Sequence, residues 1–168
     1  LELMESIRNI ANRDYLTGLY NRRFFFDEGY NIYEKAKERG VNVFVAMIDV
    51  DHFKKVNDTH GHDCGDLVLK NLAAQLSEHF PDDLIARLGG EEFTVLITDE
   101  NIQTSTERLG KFCRHIEQEA VKCGMSDVAI TISIGGSHKL LGNLDLMLIA
   151  ADQNLYLAKQ NGKNRVVV

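Results

Sequence analysis

Apolar residues recur along this chain at two spacings, one suited to helices that bury a single face and one to strands buried on both. The opening "LELMESIRNI" sets Leu3, Ile7 and Ile10 at helical spacing with charges between them. That stripe predicts an amphipathic linker helix over residues 1–12, either packed on the domain that follows or continuing an upstream coiled coil. The stretch is too short to separate the two, since heptads need three or four repeats to be diagnostic. Asn21 then reads as an N-cap for a helix from about Arg22 to Arg39, carrying Phe25, Phe26, Ile32 and Ala36 and stopped by Gly40. A buried strand follows at Val43 to Val50, and a helix from about Gly65 to His79 repeats Leu67, Leu69, Leu72, Ala73 and Leu76. Two short strands, "LIARL" and "EFTVLI", join through Gly89-Gly90, a strong hairpin signal. The pattern next predicts a helix from about Thr104 to Cys123, a strand from Val128 to Gly136, a helix from Leu144 to Gln160 and a terminal strand, "RVVV".

From the first strand onward the order is β-α-β-β-α-β-α-β. Its first six elements match the split-βαβ, ferredoxin-like pattern, so the expected fold is an α+β sandwich with a mainly antiparallel central sheet flanked by helices. An extra helix and strand follow at the C-terminus. In that arrangement the first and third strands are central antiparallel neighbours, and the end of one meets the start of the other.

Composition narrows the picture. A chain of 168 residues with 44% hydrophobic and 26% charged positions fits one globular domain able to bury roughly two-thirds of its unfolded surface. The longest apolar run, "VFVAMI", is far too short to span a bilayer, and no signal-peptide pattern opens the chain. The expected setting is a cytoplasmic domain. Because it starts at Leu1 rather than Met, it is expected to be a piece of a longer protein, with membrane attachment of that protein left open. Cys64, Cys113 and Cys123 form no CxxC or zinc-like cluster; their odd number predicts a reducing compartment and buried or incidental thiols. A net charge of −6 argues against broad nucleic-acid binding, though a small polyanion handled through metal ions is permitted.

Candidate chemistry gathers where the first and third strands should meet. Asp49 and Asp51 in "IDVDHF" stand two apart, on one side of an extended strand, while Glu91 and Glu92 open the third strand. Three or four carboxylates crowding one edge are costly unless hard cations neutralise them. An isolated DxD is more often a pair of solvated loop-end charges; two converging acidic pairs beside a Gly-Gly turn are harder to dismiss. Phe53 and Lys54 stand where an EF-hand needs a ligand and glycine, which excludes that motif. Gly89 and Gly90 let a phosphate or nucleobase approach the backbone closely. Lys54, Lys55, Lys159 and Lys163 are ordinary surface or helix-end charges by default. Since no GxxxxGK[ST] exists, nucleotide binding would have to use metals and such scattered lysines. His60 and His62 lack further ligands at zinc spacing.

Six ordered blocks carry a resemblance: "DYLTGLYNRR", "IDVDHFKKVND", "GHDCGD", "RLGGEEF", "TISIGG" and "AKQNGKNR". Together they resemble the signatures of GGDEF domains, bacterial diguanylate cyclases that make cyclic di-GMP from two GTP molecules, over residues 13–168. The resemblance implies a nucleotidyl-cyclase palm-like fold. It also implies two Mg²⁺ (or Mn²⁺) per GTP site, held by Asp49, the carbonyl of Val50, Glu91 and Glu92, with Glu91 or Glu92 taking the 3′-OH proton. Lys54 would stabilise phosphate charge, and Phe53, Gly89 and Gly90 would line the nucleotide. Asn57 and Asp66 would read guanine, and Lys159 and Lys163 would hold the β- and γ-phosphates. Lys163 stands where the family often has arginine, giving a point charge instead of a fork. Two domains must face each other, which implies a transient homodimer, and an upstream sensory or regulatory domain would bring them together. Many relatives carry an inhibitory RxxD motif for cyclic di-GMP; here the window reads "FPDD", with Phe80 at the arginine position and Asp83 retained, so no intact site is expected. The alternatives are a non-catalytic member that binds GTP or cyclic di-GMP as a signal, an RNA-recognition module sharing the split-βαβ order, and a structural dimerisation domain. "EEFTVLI" is acidic where an RNA-binding strand needs aromatics, and a purely structural domain gives no reason for the acidic convergence.

Overall fold

The computed structural model describes residues 1–138 and 142–168. Its elements run α1 (Glu2–Asn12), α2 (Arg22–Arg39), β1 (Val43–Val50), α3 (Phe53–His60), α4 (His62–His79), β2 (Leu84–Gly89), β3 (Glu92–Thr98), α5 (Ile102–Gln118), β4 (Ala120–Cys123), β5 (Ser126–Ala129), β6 (Ile132–Ser137), α6 (Leu144–Gln160) and β7 (Val166–Val167). The main sheet has the order β2-β3-β1-β6-β7. β1 lies at its centre, antiparallel to both β3 and β6, as the split-βαβ reading requires.

All eight residues of β1 are buried, which explains why it reads as a continuous apolar run. Alternate side chains enter two separate cores. Phe44, Ala46, Ile48 and Val50 join Val68, Leu72 and Leu76 of α4 and Leu109, Phe112 and Ile116 of α5 on one face. Val43, Val45 and Met47 join Phe25, Tyr33 and Ala36 of α2 and Met147, Ala151 and Leu155 of α6 on the other. This is the expected α+β sandwich. The glycine pair of "TISIGG" serves packing: a Cβ on Gly135 would lie 2.0 Å from the backbone nitrogen of Leu155, so α6 rests directly on β6.

Four expectations need correction. A separate short helix, α3, precedes α4; of its eight residues only Val56 is buried, so it left no apolar rhythm to read. The helix expected to reach Cys123 ends at Gln118, because Glu119 is extended (φ −100°, ψ 129°). Val121 and Val128 then face inward across the β4–β5 hairpin, which turns at Gly124 with φ 63°. The long strand expected from Val128 is two strands, β5 and β6, parted at Ile130 and Thr131, where the Asp51 amide donates to the Thr131 carbonyl (2.9 Å). Two of the three expected thiols are paired instead: Cys64 and Cys123 are joined as a disulfide with Cα atoms 5.4 Å apart, leaving Cys113 free and buried.

The opening helix does not pack on the domain. None of its residues is buried, with Leu3 at 73% and Ile10 at 82% exposure. Among the described residues no helix is long and apolar enough to cross a membrane.

Candidate active site

The antiparallel register of β1 and β3 sets Asp49 directly opposite Glu92. Glu91 precedes it at the hairpin, so three carboxylates share one end of the central strand pair. Asp49 is only 5% exposed. Its Oδ2 accepts a short charged hydrogen bond from Lys159 Nζ at the end of α6, while its Oδ1 is buried without a hydrogen-bond partner among the described residues. Burial pushes the Asp49 carboxyl above the ordinary carboxylate range; the Lys159 ammonium opposes that shift, and the Glu91 and Glu92 charges add to it. A buried carboxylate oxygen with spare lone pairs, flanked by two more carboxylates, suits a hard cation.

The fourth expected member of the acidic edge, Asp51, does not join it. Asp51 lies just beyond β1, buried, and accepts from the Thr131 hydroxyl (2.7 Å), the Ser133 hydroxyl (2.6 Å) and the Asn164 amide (3.0 Å). Its charge is spent on holding the end of β1 to β6 and to the segment after α6. Among the described residues no three His, Cys, Asp or Glu side chains come together as a metal cage, and His60 and His62 are both exposed. The available donor set is carboxylates plus a strand-end carbonyl, which is how a magnesium ion shared with substrate phosphates is normally held.

The glycine turn is pinned by Arg87, a residue to which the sequence pattern assigns no role. Gly89 (φ 146°) and Gly90 (φ 50°) sit in backbone conformations that side chains rarely adopt, next to a register shift between Arg87 and Gly89. Arg87 Nε and Nη2 donate to the Gly90 carbonyl (3.0 and 2.8 Å), and its Nη1 reaches Asp14 (3.1 Å). Burial opposes the Asp14 charge, but the Thr17 hydroxyl and amide together with Arg87 hold its carboxyl below the ordinary range. The signal was present in the sequence: an unexplained aspartate in "DYLTG" and an unexplained arginine in "RLGG" partner one another.

Asn57 on α3 and Asp66 on α4 flank a joint at Gly61, whose φ is 87°. The Asn57 Oδ1 atom is buried with no hydrogen-bond partner among the described residues. It lies against Gly65, where an added Cβ would stand 1.9 Å from that oxygen and 3.3 Å from the Phe53 ring. Asp66 is exposed one residue further on, and Lys54 is exposed on α3. Lys163 is half-buried, and both it (φ 64°) and Asn164 (φ 49°) adopt left-handed backbone, held by the Asn164–Asp51 bond.

At the "FPDD" window Phe80 is buried, edge-on to Phe112 at 5.5 Å. Asp83 accepts from Arg108 Nη2 (2.7 Å), whose guanidinium also binds Glu100 (2.9 Å) and covers the Phe80 ring (4.9 Å). The guanidinium missing at position 80 is therefore replaced, next to Asp83, by one from α5. That guanidinium is already paired with Asp83 and Glu100.

Against known families, residues 11–165 match the model of the diguanylate cyclase GGDEF domain. A probable diguanylate cyclase DgcT of Escherichia coli (strain K12) is 39% identical over 167 residues, covering 96% of this chain and 36% of that protein. The response regulator PleD of Caulobacter vibrioides is 37% identical over 164 residues, covering 94% of this chain and 36% of that protein. The chain thus spans about a third of either relative. Among solved structures, the coiled coil and GGDEF domain of DgcB from Caulobacter crescentus, in complex with c-di-GMP, superposes with a TM-score of 0.93 at 32% identity, over 99% of this chain and 90% of that one.

Proposed function

Because the chain belongs to the GGDEF-domain family, we propose that it is a diguanylate cyclase, joining two GTP molecules into cyclic di-GMP with release of two pyrophosphates. The observation that carries this reading is the Asp49–Glu92 pairing beside the Gly89-Gly90 turn, with one Asp49 oxygen buried and unpartnered. Asp49, the Val50 carbonyl, Glu91 and Glu92 would hold two Mg²⁺ (or Mn²⁺), which when bound supply Lewis-acid stabilisation of the phosphate charge.

The chain's own groups do the rest. Glu91 or Glu92, at the open end of the strand pair, takes the proton of the attacking 3′-OH. Lys159 already faces this edge and passes from Asp49 to a phosphate oxygen as substrate enters; Lys163 and Lys54 add cationic charge around the same phosphates. Phe53, Gly89 and Gly90 leave room for the nucleotide. The unpaired Asn57 oxygen accepts from the guanine N–H edge and Asp66 takes its neighbour; adenine would leave both unsatisfied. One such site holds one GTP, so two chains must face each other in a transient homodimer, and catalysis is governed by their proximity. Residues 1–12 are then the linker through which an upstream regulatory region acts, in a cytoplasmic setting where GTP is available. No role for nucleic acid is proposed, given the net charge of −6.

Mass-spectrometric detection of cyclic di-GMP after incubating concentrated protein with GTP and Mg²⁺ tests the reading. Product that vanishes in Glu91→Ala supports it. GTP binding without product, even when the chain is forced to dimerise, would replace it with a nucleotide-binding regulatory module. With Phe80 filling the motif position and Asp83 and Arg108 neutralising each other, cyclic di-GMP should inhibit only by competing with GTP; non-competitive inhibition lost in Asp83→Ala would contradict this.

A further inference from the structure

We propose that Cys64 and Cys123 form a thiol–disulfide exchange site that sets how firmly the α3–α4 joint holds Asn57 and Asp66, with glutathione and its disulfide as the class of reactant. The proposal rests on the guanine-reading role given above to those two residues.

The first turn of α4 lacks the usual means of fixing itself. Its N-cap is Gly61, and no side chain caps it. The free amides of that turn therefore have no side-chain acceptor to hold them. Cys64 is the third residue of the helix, 3% exposed, and bonded to Cys123 at the end of β4. Gly65, the next residue, is the surface on which the Asn57 amide rests, and Asp66 follows. The covalent tie thus sits within two residues of both contacts that matter for base recognition.

The tie has little help from α3. Between α3 and β5 lies a cleft of about 430 Å³, with Lys55, Val56, Thr59 and His60 on one side and Val128 and Ala129 on the other. The joint is therefore held to the β4–β5 hairpin through α4, at the end that carries the disulfide. Breaking it leaves an uncapped helix start, and such ends open locally at low free-energy cost. The fraction of chains with Asn57 and Asp66 both set would fall, and apparent affinity for GTP falls in proportion to that fraction.

The chemistry balances with a two-electron thiol couple. A glutathione thiolate attacks the half-buried Cys123 sulfur beside the Gly124 turn; the S–S bond breaks and its electron pair leaves on Cys64, which takes a proton. A second glutathione thiolate attacks the glutathione sulfur of that mixed disulfide, and the Cys123 sulfur leaves with the electron pair and takes a proton. The net products are two protein thiols and one glutathione disulfide; oxidation is the reverse. Cys113 takes no part: its thiol is buried, donates to the Ile132 carbonyl (3.4 Å), and burial pushes its pKa up to about 11.

Equilibrium binding of GTP and of tripolyphosphate, both with Mg²⁺, to protein poised in glutathione or in glutathione disulfide tests the idea. Peptide mapping would follow the Cys64–Cys123 link in parallel. Reduction is expected to weaken GTP binding about fivefold while tripolyphosphate, which has no base, binds alike in both states. Cys123→Ser and Cys64→Ala should each bind GTP as the reduced protein does, whatever the poise. A link that never forms, GTP affinity indifferent to the link, or equal weakening of both ligands would each overturn the proposal. Failure to bind GTP in either state would overturn it together with the functional reading beneath it.

Discussion

Gly65 shows how one missing side chain can serve recognition instead of backbone freedom. It lies inside α4, where alanine is the better helix former by about 1 kcal/mol. A Cβ there would strike the end of the Asn57 side chain, which can swing away, and press on the edge of the Phe53 ring at 3.3 Å, which need give by only a few tenths of an ångström. Gly65→Ala should therefore leave the unfolding midpoint nearly unchanged while raising the KM for GTP about tenfold or more, through loss of a base contact. Thermal melts and steady-state kinetics on one preparation check both halves, and a melt that collapses would show that the position is structural. Residue-scale reading of the sequence placed Asp49, Glu91 and Glu92 at one edge, and the β1–β3 register does bring them to one end of the strand pair. It failed at Asp51, whose hydroxyl and amide donors come from residues 80 or more positions away and leave no local trace. Lys159 was anticipated as a phosphate ligand; that its resting partner is Asp49 follows only from α6 lying directly on β6.

At the scale of elements, the β2–β3 hairpin depends on Asp14 and Arg87, whose side chains are 15% and 11% exposed. Asp14 has its folded-state carboxyl below the ordinary value of 3.8. A depressed carboxylate contributes stability that is present above its unfolded pKa and is lost as pH falls through the folded one. Asp14→Asn should accordingly cost about 2 kcal/mol near neutral pH, with the deficit closing as the pH drops below about 4. Urea titrations of both proteins across that range would reveal a gap that stays constant if the charge is irrelevant. The main elements were legible because each buries a face with its own period. The α3 helix and the β4–β5 hairpin were not: one buries a single residue, and the other has four-residue strands with one inward valine apiece, too short for a pattern to accumulate.

For the whole molecule, the bare α1 stripe matters most. With no buried residue, α1 meets the domain at its end, where the Ala11 and Asn12 carbonyls accept from Asn21, and residues 1–10 bury no side chain in the core. A chain lacking residues 1–10 should unfold at the same midpoint, yet associate more weakly and turn over GTP several-fold more slowly at low protein concentration, recovering as concentration rises. Sedimentation and product assays over a dilution series measure this; unchanged association and activity would remove α1 from any relay. Sheet topology was foreseeable, since a split-βαβ order leaves β1 and β3 little choice of neighbour. The covalent link between Cys64 and Cys123 was not, because an odd cysteine count says nothing about which two will meet.

The Asp51 hub also fixes when the domain can be finished. Its donors lie at positions 131, 133 and 164, and the face of β1 carrying Val43, Val45 and Met47 is covered by a helix that starts at Leu144. A nascent chain on the ribosome therefore has that face of its central strand covered by α2 alone, and the end of β1 untied, until nearly all of the domain has emerged. A premature stop within α6 would remove Lys159 and uncover the part of the hydrophobic sheet that α6 covers in a single event. Damaged copies would then be recognised as misfolded rather than persist as inactive partners.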